Sequence, residues 1–103
     1  MFLRYNAGKG LVVFTGCGHA GVVNTCQDAV KLGNGSPLYC VVGGYHLADA
    51  ADAKLSATMD DLKTLEPKVL LAGHCTGWRF KCLIARDLPN CLVPCFSGSK
   101  YTL

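Results

Sequence analysis

The order of apolar and polar positions changes period several times along the chain, and each change marks an element. Leu3-Arg4-Tyr5 and Leu11-Val12-Val13-Phe14 predict a hairpin around the turn residues Asn6 to Gly10. From Ala20 to Leu32 the spacing lengthens: Val22, Val23, Cys26, Ala29 and Val30 recur at three- and four-residue steps, which predicts a helix that Gly33 ends. Pro37 to Val42 is a continuous apolar run, the mark of a strand buried on both faces, and Gly43-Gly44 is expected to stop it. Leu55, Met59, Leu62 and Leu65 make one helical stripe with Asp60, Asp61 and Lys63 off it, and Pro67 blocks continuation. A short strand over Lys68 to Ala72 follows, then a helix over Trp78 to Leu88, with Cys91 to Phe96 and Tyr101 to Leu103 as closing strands. The order ββαβαβαββ describes a single α/β domain over residues 1–103, with a mixed sheet and helices on one of its faces.

The loops of this arrangement carry the candidate chemistry. All three histidines fall just after a predicted strand, and glycines flank each: Gly16-Cys17-Gly18-His19-Ala20-Gly21, Gly43-Gly44-Tyr45-His46 and Gly73-His74-Cys75-Thr76-Gly77. Glycine lets the backbone turn tightly at a sheet edge, where a neutral imidazole nitrogen can bind a metal such as zinc. The histidines stand 27 and 28 residues apart, one strand-helix unit each, so equivalent loops present them side by side. The C-terminal edge of strands in an α/β sheet is where ligands collect.

Composition narrows the setting. Half the chain is hydrophobic and 17% is charged, which is globular rather than disordered. The net charge of +3 is scattered without a run or stripe, so nucleic acid is not indicated. No signal-like stretch and no apolar run of ~20 residues occurs, which argues against a membrane and for a cytoplasmic protein. Seven cysteines without a Cys-x-x-Cys pair disfavour a zinc knuckle or a thioredoxin-type site and fit mostly reduced, buried thiols. A chain this short and apolar is expected to need a second layer from another chain.

The segments Thr15-Gly-Cys-Gly-His-Ala-Gly-Val-Val-Asn-Thr25, Val42-Gly-Gly-Tyr-His-Leu47 and Ala72-Gly-His-Cys-Thr-Gly77 resemble the later motifs of the metallo-β-lactamase superfamily. The resemblance is closest to its dihydropterin-ribofuranosyl-aminobenzene-phosphate-synthase-like branch. It implies the C-terminal half of an αββα hydrolase fold, with one or two metals, usually zinc, that activate a water. On that resemblance His19 and His74 are metal ligands, and His46 stands where a bridging Asp is common, as a ligand or a catalytic acid/base group. Cys17, Gly18, Cys75 and Thr76 are then expected beside the site, with Cys75 a further candidate ligand. Such a site takes a small-molecule substrate, an anionic ester or phosphoester, and Arg79 with Lys81 is expected to attract it.

The superfamily's His-x-His-x-Asp-His motif does not occur in these 103 residues. Hydrolysis therefore requires completion, by a twofold homodimer that rebuilds the sandwich or by a chain supplying the other half. A non-catalytic remnant or interaction module of the same fold is the alternative. Two further motifs fit less well. Gly16-x-Gly18-x-x-Gly21 satisfies dinucleotide-binding spacing, but Gly43-Gly44-Tyr45-His46 stands where that reading expects an acid after the next strand. His74-Cys75-Thr76-Gly77-Trp78-Arg79 is similar to a cysteine-phosphatase loop, yet Arg79 follows the Cys two positions too soon. Trp78, Phe80 and Phe96 are read as core or pocket lining, Asp49 or Asp52 as a helix N-cap, and Asp60 and Asp61 as surface.

Overall fold

The computed structural model describes residues 2–6, 8–95 and 97–102. Four strands form one sheet in the order β1 (Phe2–Asn6), β2 (Gly10–Phe14), β3 (Leu38–Gly44), β4 (Val69–Gly73). β1 and β2 pair antiparallel as the predicted hairpin, whereas β2–β3 and β3–β4 are parallel, each crossing through a helix. Those crossovers are α1 (Val22–Leu32) and α2 (Asp52–Leu65); α3 (Trp78–Asp87) follows β4 through a 3₁₀ turn at His74–Thr76. The mixed sheet with three helices is the α/β half-sandwich expected from the sequence.

The predicted stripes decide which face is covered. Val22, Cys26 and Ala29 of α1, Leu55, Met59 and Leu62 of α2, and Phe80 and Ile84 of α3 pack with Val13, Val41, Leu70 and Ala72 in one core. Because side chains alternate along a strand, the neighbouring Val12, Cys40 and Leu71 lie in a second cluster on the other face. Phe14, Tyr39, Val42 and Val69 are only half-buried there, with Val93 and Cys95 against them, and no described helix joins this cluster.

Two expectations change. β3 runs through Gly43-Gly44, which pair with Ala72 and Gly73, because Gly43 adopts φ +127°, open to glycine, and so passes the Thr15 carbonyl. The first closing strand contracts to a single parallel bridge, Leu70 to Leu92, and residues 97–102 hold no strand; Phe96 and Leu103 lie outside the described residues. Pro94 and the turn at Ser97-Gly98 interrupt the pairing. Among the described residues no helix is long and apolar enough to cross a membrane.

Candidate metal centre

Since β2, β3 and β4 run parallel, their C-terminal ends share one edge, and the three glycine-bounded loops leave from it. Backbone bonds join the loops to one another. Gly44 N–H donates to the Gly16 carbonyl at 2.8 Å, and Leu47 and Ala48 N–H both donate to the Cys75 carbonyl at 3.0 Å. Two hydroxyls reinforce this. Thr15 donates to the Gly44 carbonyl at 2.8 Å; the fully buried Thr76 donates to the Gly73 carbonyl at 2.7 Å and accepts from Tyr45 N–H at 3.2 Å. Gly44 is required by closeness, since a Cβ there would stand 2.8 Å from the Gly16 carbonyl oxygen and 2.9 Å from Cys75 Sγ. Beneath the edge, Tyr45 is buried with its hydroxyl donating to the Val41 carbonyl, and Phe80 meets its ring edge-on.

The histidines gather in two adjoining groups. The rings of His19 and His46, from different loops, lie 4.2 Å apart between centroids, and both residues are exposed. They line one cleft with Gly18, Asn24, Tyr45, Lys54 and Asp61; a second hollow, sharing His46 and Lys54, is lined by Asp49 and Cys75. His74 instead faces Cys17, with Nε2 2.8 Å from Sγ, and the Cys75 thiol donates to the Cys17 carbonyl at 3.0 Å. Cys17, His74 and Cys75 bring their donor atoms within 4.8 Å of one another. Desolvation, then the neighbouring Cys75, pushes the Cys17 thiol above its ordinary range.

Two of the histidines share a left-handed backbone with Asn34 and Glu66. His46 and His74 adopt φ of +53° and +51°, a region costing a residue with a Cβ roughly 1 kcal/mol or more. An observed outlier of this kind points to a requirement at the site rather than to packing.

The other singled-out residues take clear places. Arg79 donates to Asp52 at 3.0 Å and to the Ala48 and Ala50 carbonyls at 3.2 and 2.6 Å, pinning the loop that carries His46. The cation lining the histidine cleft is Lys54, which the sequence did not single out, because its place depends on how α2 packs. Lys81 lines a separate hollow with Leu92 and Pro94. The N-cap of α2 is Ala51 without a side-chain cap, so neither Asp49 nor Asp52 fills that role; Asp52 is held by Arg79 instead. Trp78 is 74% exposed, while Phe80 is core. Gly16, Gly18 and Gly21 serve loop contacts and the start of α1: Gly18, at φ +77°, lies so close to the Gly44 carbonyl that a Cβ would come within 2.5 Å.

Comparison with known proteins agrees with this fold. No family model matches the chain. A solved metal-dependent hydrolase of the β-lactamase superfamily superposes with a TM-score of 0.90 at 29% identity, over 98% of this chain and 39% of its own. The 7,8-dihydropterin-6-methyl-4-(β-D-ribofuranosyl)-aminobenzene-5'-phosphate synthase of Methanocaldococcus jannaschii is 38% identical over 71 residues, 69% of this chain and 24% of the synthase. An uncharacterized protein of the same organism is 34% identical over 71 residues, 69% of this chain and 26% of its own length. The chain thus spans about a quarter of the length of the curated relatives it matches. In its half-sandwich and its histidine-bearing strand ends, the chain matches part of a metallo-β-lactamase-superfamily hydrolase, and in sequence it is similar to that synthase.

Proposed function

We propose that this chain is one half of a zinc-dependent hydrolase, with His19 and His74 as its metal ligands and His46 beside them as the acid/base group. The observation that carries this is the meeting of the His19 and His46 rings, 4.2 Å apart, at the strand edge from which His74 also emerges. The donor set fits a borderline-soft ion such as zinc, since imidazole and thiol are present and carboxylates are sparse at that edge. When bound, the metal supplies Lewis-acid activation of a water and of the scissile group. The chain's own residues do the rest: Lys54 orients an anionic ester or phosphoester in the cleft, and His46 takes or returns a proton at an imidazole nitrogen. Arg79 acts indirectly, by fixing the loop on which His46 stands.

The complementary half is supplied by a second copy of this chain or by a separate stretch of polypeptide, and it covers the sheet face of Phe14, Tyr39, Val42 and Val69. Lack of His-x-His-x-Asp-His in these residues supports that requirement, and equally a second reading as a non-catalytic module. Hydrolysis of model phosphoesters by the assembled protein, with and without a chelator, separates the two. The enzyme reading expects activity abolished by chelation, restored by zinc and lost in His19→Ala and His74→Ala. Metal content unchanged by both substitutions would sink it.

A further inference from the structure

We infer that Cys17, His74 and Cys75 form a thiolate-imidazole site for a soft divalent cation, held wholly within this half of the fold. The inference rests on the proposed function for the neighbourhood of the site and for His74, which both readings use; it adds Cys17 and Cys75 in place of His19 and His46 and needs no catalysis.

The geometry carries it. Cys17 comes from the loop after β2, and His74 with Cys75 from the 3₁₀ turn after β4, yet all three donor atoms lie within 4.8 Å of one another. Zinc–sulfur bonds of about 2.3 Å and zinc–nitrogen bonds of about 2.0–2.1 Å place tetrahedral ligand atoms roughly 3.5–3.8 Å apart. The observed 2.8 Å between Cys17 Sγ and His74 Nε2 is a hydrogen bond that an ion would replace by moving the two atoms apart by under about 1 Å. The backbone already holds the donors in place. The Cys75 carbonyl is fixed by Leu47 and Ala48 N–H, and Gly44, lacking a Cβ, admits the Cys75 sulfur beside the β3 backbone. His74 adopts its left-handed φ at the residue before Cys75, so that successive side chains serve one cluster.

Two other cysteines contrast with this pair. Cys26 and Cys40 are fully buried in the two apolar clusters, where they pack as small hydrophobes. Cys17 and Cys75 are half-buried and His74 is exposed, which gives an ion a way in and leaves a fourth position open to a small ligand. The charge balances: two thiols each lose a proton to solvent, and two thiolates with a neutral imidazole neutralise a divalent ion. Thiolates select zinc, cadmium or cobalt over magnesium or calcium.

Cobalt(II) titration of the purified, reduced protein tests the assignment, because sulfur ligation gives an intense thiolate-to-cobalt charge-transfer absorption. The expected result is one cobalt per chain with that absorption, displaced by zinc but not by magnesium. Affinity should fall at least tenfold in Cys17→Ser and in Cys75→Ser, and stay unchanged in Cys82→Ser, a control at an exposed cysteine on α3. His19→Ala and His46→Ala should keep the absorption. Cobalt bound without it, or with it intact in both serine variants, overturns this site; loss of that cobalt in His19→Ala would then leave the hydrolase reading standing. Should the serine variants not fold, alkylation of the unsubstituted protein decides. Zinc should shield Cys17 and Cys75 but not Cys82, and equal labelling with and without zinc overturns the proposal.

Discussion

The two ends of the three parallel strands use the same unusual backbone conformations for different purposes. At the N-terminal end, left-handed residues finish helices: Asn34 and Gly35 follow α1, and Glu66 caps α2 with its N–H shared between the Leu62 and Lys63 carbonyls. Gly10 makes the remaining close approach there, against the Pro37 carbonyl. At the C-terminal end the left-handed residues His46 and His74 end no α-helix. They stand in the loops after β3 and β4, beside Gly43 and Gly77, and carry the imidazoles of the candidate site. A strained conformation explained by helix termination teaches nothing about function, whereas the same conformation on a potential ligand does.

The sharpest way to break this contrast is to strain each end in turn. Gly43→Ala forces a Cβ to 2.2 Å from the Thr15 carbonyl oxygen, and Gly10→Ala forces one to 2.3 Å from that of Pro37. Both should destabilise by about 2–4 kcal/mol in denaturant unfolding. Only Gly43→Ala should also lower zinc uptake per folded molecule, since only it moves the loops that hold the donors.

Alkaline pH separates interior thiols from those at the edge. Burial holds the Cys26 thiol neutral, raising it from 9.0 to about 12, and burial with Cys95 nearby raises Cys40 to about 11. A group raised in the folded state contributes stability that is complete below its unfolded value and lost as pH rises through the folded one. Stability should therefore hold to pH 9 and fall on the way to about 12, and Cys26→Ala should flatten that fall. Urea midpoints across this range check it.

The smallest effect is the most specific. His74→Gly and Glu66→Gly each relieve a left-handed residue and should each raise the stability of the metal-free protein by up to about 1 kcal/mol. Zinc binding should disappear in His74→Gly and persist in Glu66→Gly.

Much of this was legible beforehand because period and punctuation are local. The stripe Leu55, Met59, Leu62, Leu65 ends at Glu66 before Pro67, and the glycine-flanked histidines do lie at one sheet edge. What escaped depends on tertiary contact. Gly43-Gly44 continues β3 because Ala72 and Gly73 pair with it, which no single-strand pattern records. The segment Cys91 to Cys95 has strand-like composition, yet only Leu92 finds a bridge partner. Residue spacing could not show that His74 would face Cys17 rather than His46, that Arg79 would be held by Asp52 and two carbonyls, or that α2 would bring Lys54 to the cleft. Nor could it show the left-handed φ of His46 and His74, which is set by the loops they join.

Native mass spectrometry of the protein after zinc loading tests the central claim most directly, because one spectrum gives both assembly and metal count. With a second copy as the complementary half, the account predicts a species heavier than the single 10.9 kDa chain, and in either case at least one zinc for each copy. A lone chain of that mass without zinc would contradict it, leaving the histidine loops as inherited scaffolding.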